Sequence, residues 1–174
     1  FRSIKPKIEY LKSFMNHETI VVLQETMPHY VDELRLQFEN SYNLYYSLDL
    51  RQPSEFDGKE RKLGVMVIAP KTIQMTKHDL LTRTPFPERT TYSEFEYENE
   101  VLSLFGLHSL TGVDYKKTKS VQFYTFAESV VRYKPDIVMI DANEPKIDHP
   151  ELNQVEYFDN RDKGKGARSF FDSM

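Results

Sequence analysis

A mixed α/β domain is what this sequence predicts, and three observations carry that expectation. Short apolar, β-branched runs of strand length recur at 19–23 (TIVVL), 63–69 (LGVMVIA) and 136–140 (DIVMI). Between them lie longer segments with apolar residues at helical spacing, such as Ile4, Ile8, Leu11 and Met15. No repeat, low-complexity tract or interdomain linker interrupts the pattern, so residues 1–174 read as one domain, long enough to bury a real core.

Taken in order, residues 4–16 form the first expected helix. The run 19–23 comes next as a strand expected to be buried on both faces, stopping at the polar pair Gln24-Glu25. A second helix opens near Pro28, whose fixed φ suits a first helical position, with Tyr30, Leu34 and Phe38 along one face. Strands over 42–48 and 63–69 flank a polar loop, and Pro70-Lys71 turns the chain. Residues 77–89, with Pro85 and Pro87, read as a surface loop. Phe95 to Glu98 alternates at period two, and a tight hairpin at Glu98-Asn99 leads into a strand over 100–107. A helix over 114–133 carries Val121, Tyr124, Ala127 and Val131 on one broad face. Pro135 precedes a third buried strand, 136–140, which ends in Asp141-Ala142-Asn143. The stretch to Asn160 is polar and irregular, and a last helix opens near Lys165.

Composition narrows the chemistry. There is no cysteine, which excludes disulfide scaffolds and thiolate metal sites, so any metal must sit on oxygen or imidazole. Zero cysteine also suits a reducing compartment, and a cytoplasmic location is the expectation. No apolar run approaches the roughly 20 residues that span a bilayer. The net charge of −4 makes the molecule no general magnet for nucleic acid, yet leaves room for a cation that counters a substrate phosphate in an acidic pocket. With 11 tyrosines, 12 phenylalanines and no tryptophan, aromatic rings are expected to supply much of the core. The chain opens at Phe1 without an initiator methionine and closes inside an expected helix, so both ends read as cut.

Three strands stop at groups able to do chemistry: Glu25 after TIVVLQ, His108 after VLSLFGL, and Asp141 with Asn143 after DIVMI. Rigid strand ends are a common way to hold reactive side chains in place. Each taken singly reads more readily as an ordinary strand end, because strands must stop and loops are polar.

The set LQE, LHS and DAN, each after an apolar strand and in this order, resembles the endonuclease/exonuclease/phosphatase superfamily, the fold of pancreatic DNase and abasic-site endonucleases. The resemblance covers nearly the whole chain. It implies a two-sheet α/β sandwich with outer helices and a divalent-metal-dependent phosphodiester hydrolase using Mg2+ or Mn2+. On the same resemblance Glu25 binds the metal, and His108 contacts the scissile phosphate as in the DNase-like branch. Asp141 orients or deprotonates the attacking group, and Asn143 holds the phosphate. The residue types suit that chemistry, since Mg2+ takes oxygen ligands and is often held by one or two carboxylates plus substrate. Arg89 stands where some DNase-like relatives place a substrate arginine.

Two departures from the pattern stand out. The family's GDxN reads IDAN here, at Ile140 to Asn143. A first-strand asparagine, a late aspartate and a terminal Asp-His pair have no counterpart in this chain. Asp148-His149 has the letters of that pair but lies in the loop after Asn143, the wrong element, and carries no role. His149, His17, His29 and His78 read as surface residues. Lys116, Lys117 and Lys119, like Lys163, Lys165 and Arg168, read as a solvated face or as phosphate contacts. Tyr42, Tyr45 and Tyr46 read as core and sheet packing rather than a base-stacking platform. Gly106 reads as relief for a close-lying strand or ligand.

Nucleic acid is the substrate the resemblance favours. Its rivals are a small phosphorylated substrate or lipid head group on the same scaffold, and a non-catalytic binding module.

Overall fold

The computed structural model describes residues 3–52, 62–111, 116–144, 146, 147, 149–158 and 165–173. Asp114, Asp148, Lys163 and most of the polar loop between the second and third strands lie outside the described residues.

Two sheets face each other. The first holds β1 (Val21–Thr26), β3 (Gly64–Pro70) and β2 (Tyr42–Tyr46), in the order β1-β3-β2 and antiparallel throughout. The second holds β4 (Gln74–Asp79), β5 (Thr90–Tyr97), β6 (Glu100–His108) and β7 (Ile137–Asp141), in chain order, with the last pair parallel. Helices α1 (Lys5–Phe14) and α2 (Pro28–Phe38) cover the outer face of the first sheet. Helices α4 (Lys116–Tyr133) and α5 (Gly166–Ser173) cover the outer face of the second, and a single turn, α3 (Ser47–Leu50), comes directly after β2. This is the two-sheet α/β sandwich with outer helices that the sequence resemblance implied.

Strand alternation sorts the core into three layers. On β3, Met66 and Ile68 face the helices and join Ile8, Leu11, Leu34 and Phe38. Val67 and Ala69 face inward and meet Phe95 and Leu104 of the other sheet. On β6, Phe105 and Leu107 face outward against Phe123, Phe126 and Phe170. Gly106 faces inward, where a Cβ would stand 2.5 Å from Thr91 Cγ2 and 3.3 Å from Val22 Cγ1. The glycine therefore lets β1 and β6 approach, which is the close-strand half of the sequence expectation. The tyrosines pack as expected: Tyr42 and Tyr46 in the outer layer, Tyr45 between the sheets.

Several elements depart from expectation, each for a local reason. The strand read over 19–23 begins at Val21 and runs on to Thr26, so Glu25 lies inside it. Both β1 and β7 are edge strands and only half buried, because each is paired on one side alone. Residues 77–79 belong to β4, and much of 80–89 is buried rather than a surface loop. Its backbone is satisfied internally: Leu81 N donates to Thr90 Oγ1 at 2.9 Å, and Ser47 Oγ donates to the Glu88 carbonyl. The prolines there prevent a ladder but do not force exposure. On α4 the expected face is wrong in part. Val121, Tyr124 and Val131 are exposed, whereas Phe123 and Phe126 turn inward and Ala127 packs beside them. Two phenylalanines bury more area than the smaller residues could, and Gln122 tolerates the interior because its Oε1 accepts from Leu110 N at 2.9 Å. The expected hairpin at Glu98-Asn99 is present, both residues at positive φ (49° and 67°), as a two-residue turn of the type that matches strand twist.

Candidate active site

Parallel pairing of β6 with β7 places His108 directly beside Asp141, at the same end of the second sheet. The register continues one step further, Ser109 N donating to the Asp141 carbonyl at 2.8 Å. Alternation turns both His108 and Asp141 toward the first sheet, on the side of Gly106 and Met139.

Glu25 arrives from the other sheet through a backbone irregularity. Leu23 pairs with Met66 and Thr26 with Gly64, so Gln24 and Glu25 together oppose Val65, the signature of a β-bulge. Strict alternation would send Glu25 outward with Val21 and Leu23, toward the helices. Its φ of 53° instead swings the side chain to the inter-sheet side. Gln24 anchors the bulge there, its Nε2 donating across the sheets to the Met139 carbonyl at 3.4 Å.

The result is a compact cluster. One ligand atom each of Glu25, His108 and Asp141 lie within 4.8 Å of one another. His108 Nε2 is 3.2 Å from Glu25 Oε1. The contact is an ion pair by distance, Glu25 being the one acidic group among the described residues at hydrogen-bonding range of Nε2, and by strict geometry neither buried imidazole nitrogen completes a hydrogen bond. Glu25 is about half exposed (54%), while the His108 side chain is fully buried. Burial, and secondarily the Arg89 guanidinium, push the His108 pKa down, against the opposing pull of the Glu25 and Asp141 carboxylates. The imidazole is therefore neutral near pH 7. Two carboxylates and a neutral imidazole form a donor set suited to a divalent cation.

Asn143 sits beside the cluster in the left-handed region, with φ 48°. Its backbone N–H donates to Asp141 Oδ1 at 3.1 Å, and its Nδ2 donates to the Ser109 carbonyl at 3.0 Å, leaving a second amide hydrogen available. The Asp-x-Asn spacing thus closes a local turn in spite of isoleucine at 140. Arg89 is buried, its guanidinium 5.5 Å from the Phe86 ring, and it reaches the site as charge felt at His108.

Four contributors go beyond what the sequence assigned: Gln24 and Ser109, which stand in LQE and LHS without an expected task, Lys119 as a buried residue, and Glu144. Lys119 is fully buried and donates to the Asn143 carbonyl at 3.0 Å and to Glu144 Oε1 at 3.1 Å. Glu144 in turn accepts from Phe158 N at 3.2 Å. This is neither of the two tasks the lysine run suggested. Ser109 Oγ also donates to the Ala142 carbonyl, tying the ends of β6 and β7 together. Among the expected surface histidines, His78 is corrected: it lies between the sheets, Nδ1 3.1 Å from Ser93 Oγ and the ring 5.3 Å from that of Tyr45. Its burial holds its pKa at about 4. His17 and His29 are exposed as expected.

An apolar groove of about 850 Å³ opens beside the cluster, walled by Leu11, Val21, Leu23, Met27 and Tyr30, with Glu25 and Asp141 on its lining. Among the described residues no helix is long and apolar enough to cross a membrane.

No protein-family model matches the chain, and no curated protein sequence matches it. Solved structures do. Truncated TDP2 from Caenorhabditis elegans aligns at 15% identity with a TM-score of 0.62, over 86% of this chain and 59% of that one. TDP2 from D. rerio, complexed with a single-strand DNA product, aligns at 17% identity and 0.58, over 82% of this chain and 54% of that one. ANGEL2, a 2′,3′-cyclic phosphatase in complex with adenosine-2′,3′-vanadate, aligns at 14% identity and 0.60, over 82% of this chain and 44% of that one. The chain therefore spans about half the length of the structures it resembles, from 44% to 59%. All three are members of the endonuclease/exonuclease/phosphatase superfamily, and at these identities the likeness establishes that this chain has the DNase-like fold.

Proposed function

We propose that this chain carries the metal centre of a divalent-metal-dependent phosphodiester hydrolase acting on nucleic acid. The observation that carries the proposal is the convergence of Glu25, His108 and Asp141, one from the first sheet and two from the second, on a single point. The DNA product on one structural neighbour supports the choice of substrate.

Glu25, on its bulge, anchors the cation, Mg2+ or Mn2+ in this reading. Once bound, the ion supplies Lewis-acid polarisation of a phosphoryl oxygen. Asp141 faces the same point and orients the attacking water, its Oδ1 fixed by the Asn143 N–H. The remaining amide hydrogen of Asn143 holds a phosphate oxygen in this reading. His108 brings a neutral imidazole from the core side, and Arg89 adds buried positive potential on the phosphate side of the charge balance. We take residues 1–174 as one domain, and the absence of cysteine leads us to place the protein in the cytoplasm.

Cleavage of plasmid and single-stranded DNA with EDTA, Mg2+ or Mn2+, beside the Glu25→Ala variant, tests the proposal. Metal-dependent nicking that disappears in the variant supports it, and no cleavage with any ion sinks the nuclease reading. A second reading, hydrolysis of a small or lipid-borne phosphoester, is favoured by the apolar groove, which suits a nonpolar substituent better than a charged backbone. A panel of soluble nucleotides and phospholipid vesicles, run in parallel, separates the two.

A further inference from the structure

We propose that Glu88 is a positioning residue of the candidate centre: through Arg51 and Ser47 it fixes the turn that carries Arg89, and so holds the Arg89 guanidinium where a substrate phosphate would meet it. The proposal rests on the reading that the centre handles a phosphoester, and it deepens that reading by naming what aims its buried cation.

The turn lies deep in the sandwich. Pro87, Glu88 and Arg89 form a single 3-10 turn that leads into β5, and all three are buried. Thr90 pairs with Leu107 across β5 and β6, so the residue before it, Arg89, comes level with His108. That register brings a permanent positive charge beside the cluster, and its field is felt at the His108 ring. A long side chain is aimed only as well as the backbone beneath it is held.

Here the backbone is held at every step. The Phe86 carbonyl accepts from Arg89 N at 2.9 Å, the Pro87 carbonyl from Thr90 Oγ1 at 2.6 Å, and the Glu88 carbonyl from Ser47 Oγ. Ser47 Oγ is itself fixed, accepting from Val65 N at 2.9 Å. The turn opens at Phe86 in the left-handed region, φ 54°. A bulky residue keeps that conformation only where its surroundings over-determine it.

Glu88 supplies a contact that the backbone cannot. Its side chain is 3% exposed, and its Oε2 accepts from Arg51 Nη1 at 2.7 Å. Burying a carboxylate is costly, and such a pair adds little net stability over apolar groups of the same size. Its value at this place lies in the geometry it specifies. Arg51 closes α3, its own N donating to the Ser47 carbonyl at 3.1 Å, so one helical turn grips Glu88 by both its carbonyl and its carboxylate. Arg89, the next residue, cannot shift without breaking that grip.

The test follows the Arg89 Nε–H signal in 15N-arginine-labelled chain, assigned by its loss in Arg89→Gln, beside titration with inorganic phosphate in the presence of Mn2+. Wild type, Glu88→Gln, Arg89→Gln and the double variant are compared. In Glu88→Gln the Arg89 Nε–H should exchange with solvent at least about tenfold faster, and the phosphate Kd should weaken by about tenfold. The double variant should bind phosphate no more weakly than Arg89→Gln, because Glu88 acts only through Arg89. A merely structural Glu88 would lower Tm and leave the Arg89 signal as it is. An unchanged exchange rate, or losses in phosphate affinity that add, would overturn the proposal and leave the phosphoester reading standing. Phosphate that binds none of the four proteins would sink that reading, and the exchange rates would still decide whether Glu88 positions Arg89. Should Glu88→Gln fail to fold, Arg51→Lys at the more exposed end of the pair keeps the charge without the guanidinium contact, and is read in the same way.

Discussion

Replacing Lys119 with methionine tests how the turn bearing Asn143 is held. The Lys119 and Glu144 side chains are 0% and 1% exposed, and Nζ satisfies both the Glu144 carboxylate and the Asn143 carbonyl. Lys119→Met keeps most of the buried stem but removes the cation, leaving the carboxylate in the interior with the Phe158 N–H as its remaining neutral donor. Removing one partner of a buried pair costs roughly 3–5 kcal/mol, mostly the penalty of the stranded charge. For a chain of this size each kcal/mol moves Tm by about 2–4 °C, so a fall on the order of 10 °C is expected. The stranded charge, rather than a lost attraction, is the physical cause. Lys119→Met/Glu144→Leu should therefore recover most of the loss, since a buried pair replaced whole by apolar groups is often close to neutral. Urea denaturation of the two variants and wild type gives the comparison directly. A single variant within about 0.5 kcal/mol of wild type, or a double variant no better than the single one, would refute the reasoning.

Burial also sets the behaviour of His78, which is held neutral with a folded pKa near 4 against 6.5, the carboxylates of Asp79 and Asp49 opposing the shift. The unfolded chain therefore binds the extra proton between pH 6.5 and 4, and stability should fall as pH drops through that window, by up to about 3 kcal/mol. His78→Phe should flatten that segment of the stability profile by one proton, measured by urea titration at several pH values; an unchanged slope would place the proton elsewhere. Gly106→Ala should cost about 1–3 kcal/mol through overpacking against Thr91 Cγ2. Adding Thr91→Ser, which deletes that methyl and keeps the hydroxyl, should restore part of it in thermal melts, and no rescue would move the clash elsewhere. Glu98→Asn with Asn99→Gly should stabilise by about 1 kcal/mol in the same melts, because both positions hold positive φ and glutamate is poorly suited to it.

The ends of the strands are the most legible part of the site. A run such as DIVMI can do little but become a strand, so the residue after it is displayed at a sheet edge, and Asp141 and His108 are readable on that ground. Hidden are the features that depend on who faces whom. Lys119, one of three lysines close in sequence, reads as a solvated charge, and its burial becomes intelligible only with Glu144, far along the chain, against it. The buried face of α4 is hard to read because apolar character at Val121 and Val131 says less than the size of Phe123 and Phe126. Residues 80–89 look like surface because prolines mark the absence of a ladder, which is a different property from exposure.

Glu25 shows the limit most clearly. Its identity and its place after an apolar strand are legible, but alternation from Val21 and Leu23 directs it toward the helices, away from His108 and Asp141. It joins them through one left-handed residue inside a bulge, stabilised by Gln24 reaching a carbonyl on the opposite sheet. Gly106 makes a comparable contribution at a distance, since the absence of one methyl lets the two sheets close enough for that reach. The cluster is therefore a property of sheet spacing as much as of its three side chains. A substitution at Gly106 that widens the sandwich should weaken Mn2+ binding without touching a donor atom, and Thr91→Ser should restore binding and stability together. If stability returned while metal affinity stayed low, the spacing argument would fail and the bulge alone would have to account for the site.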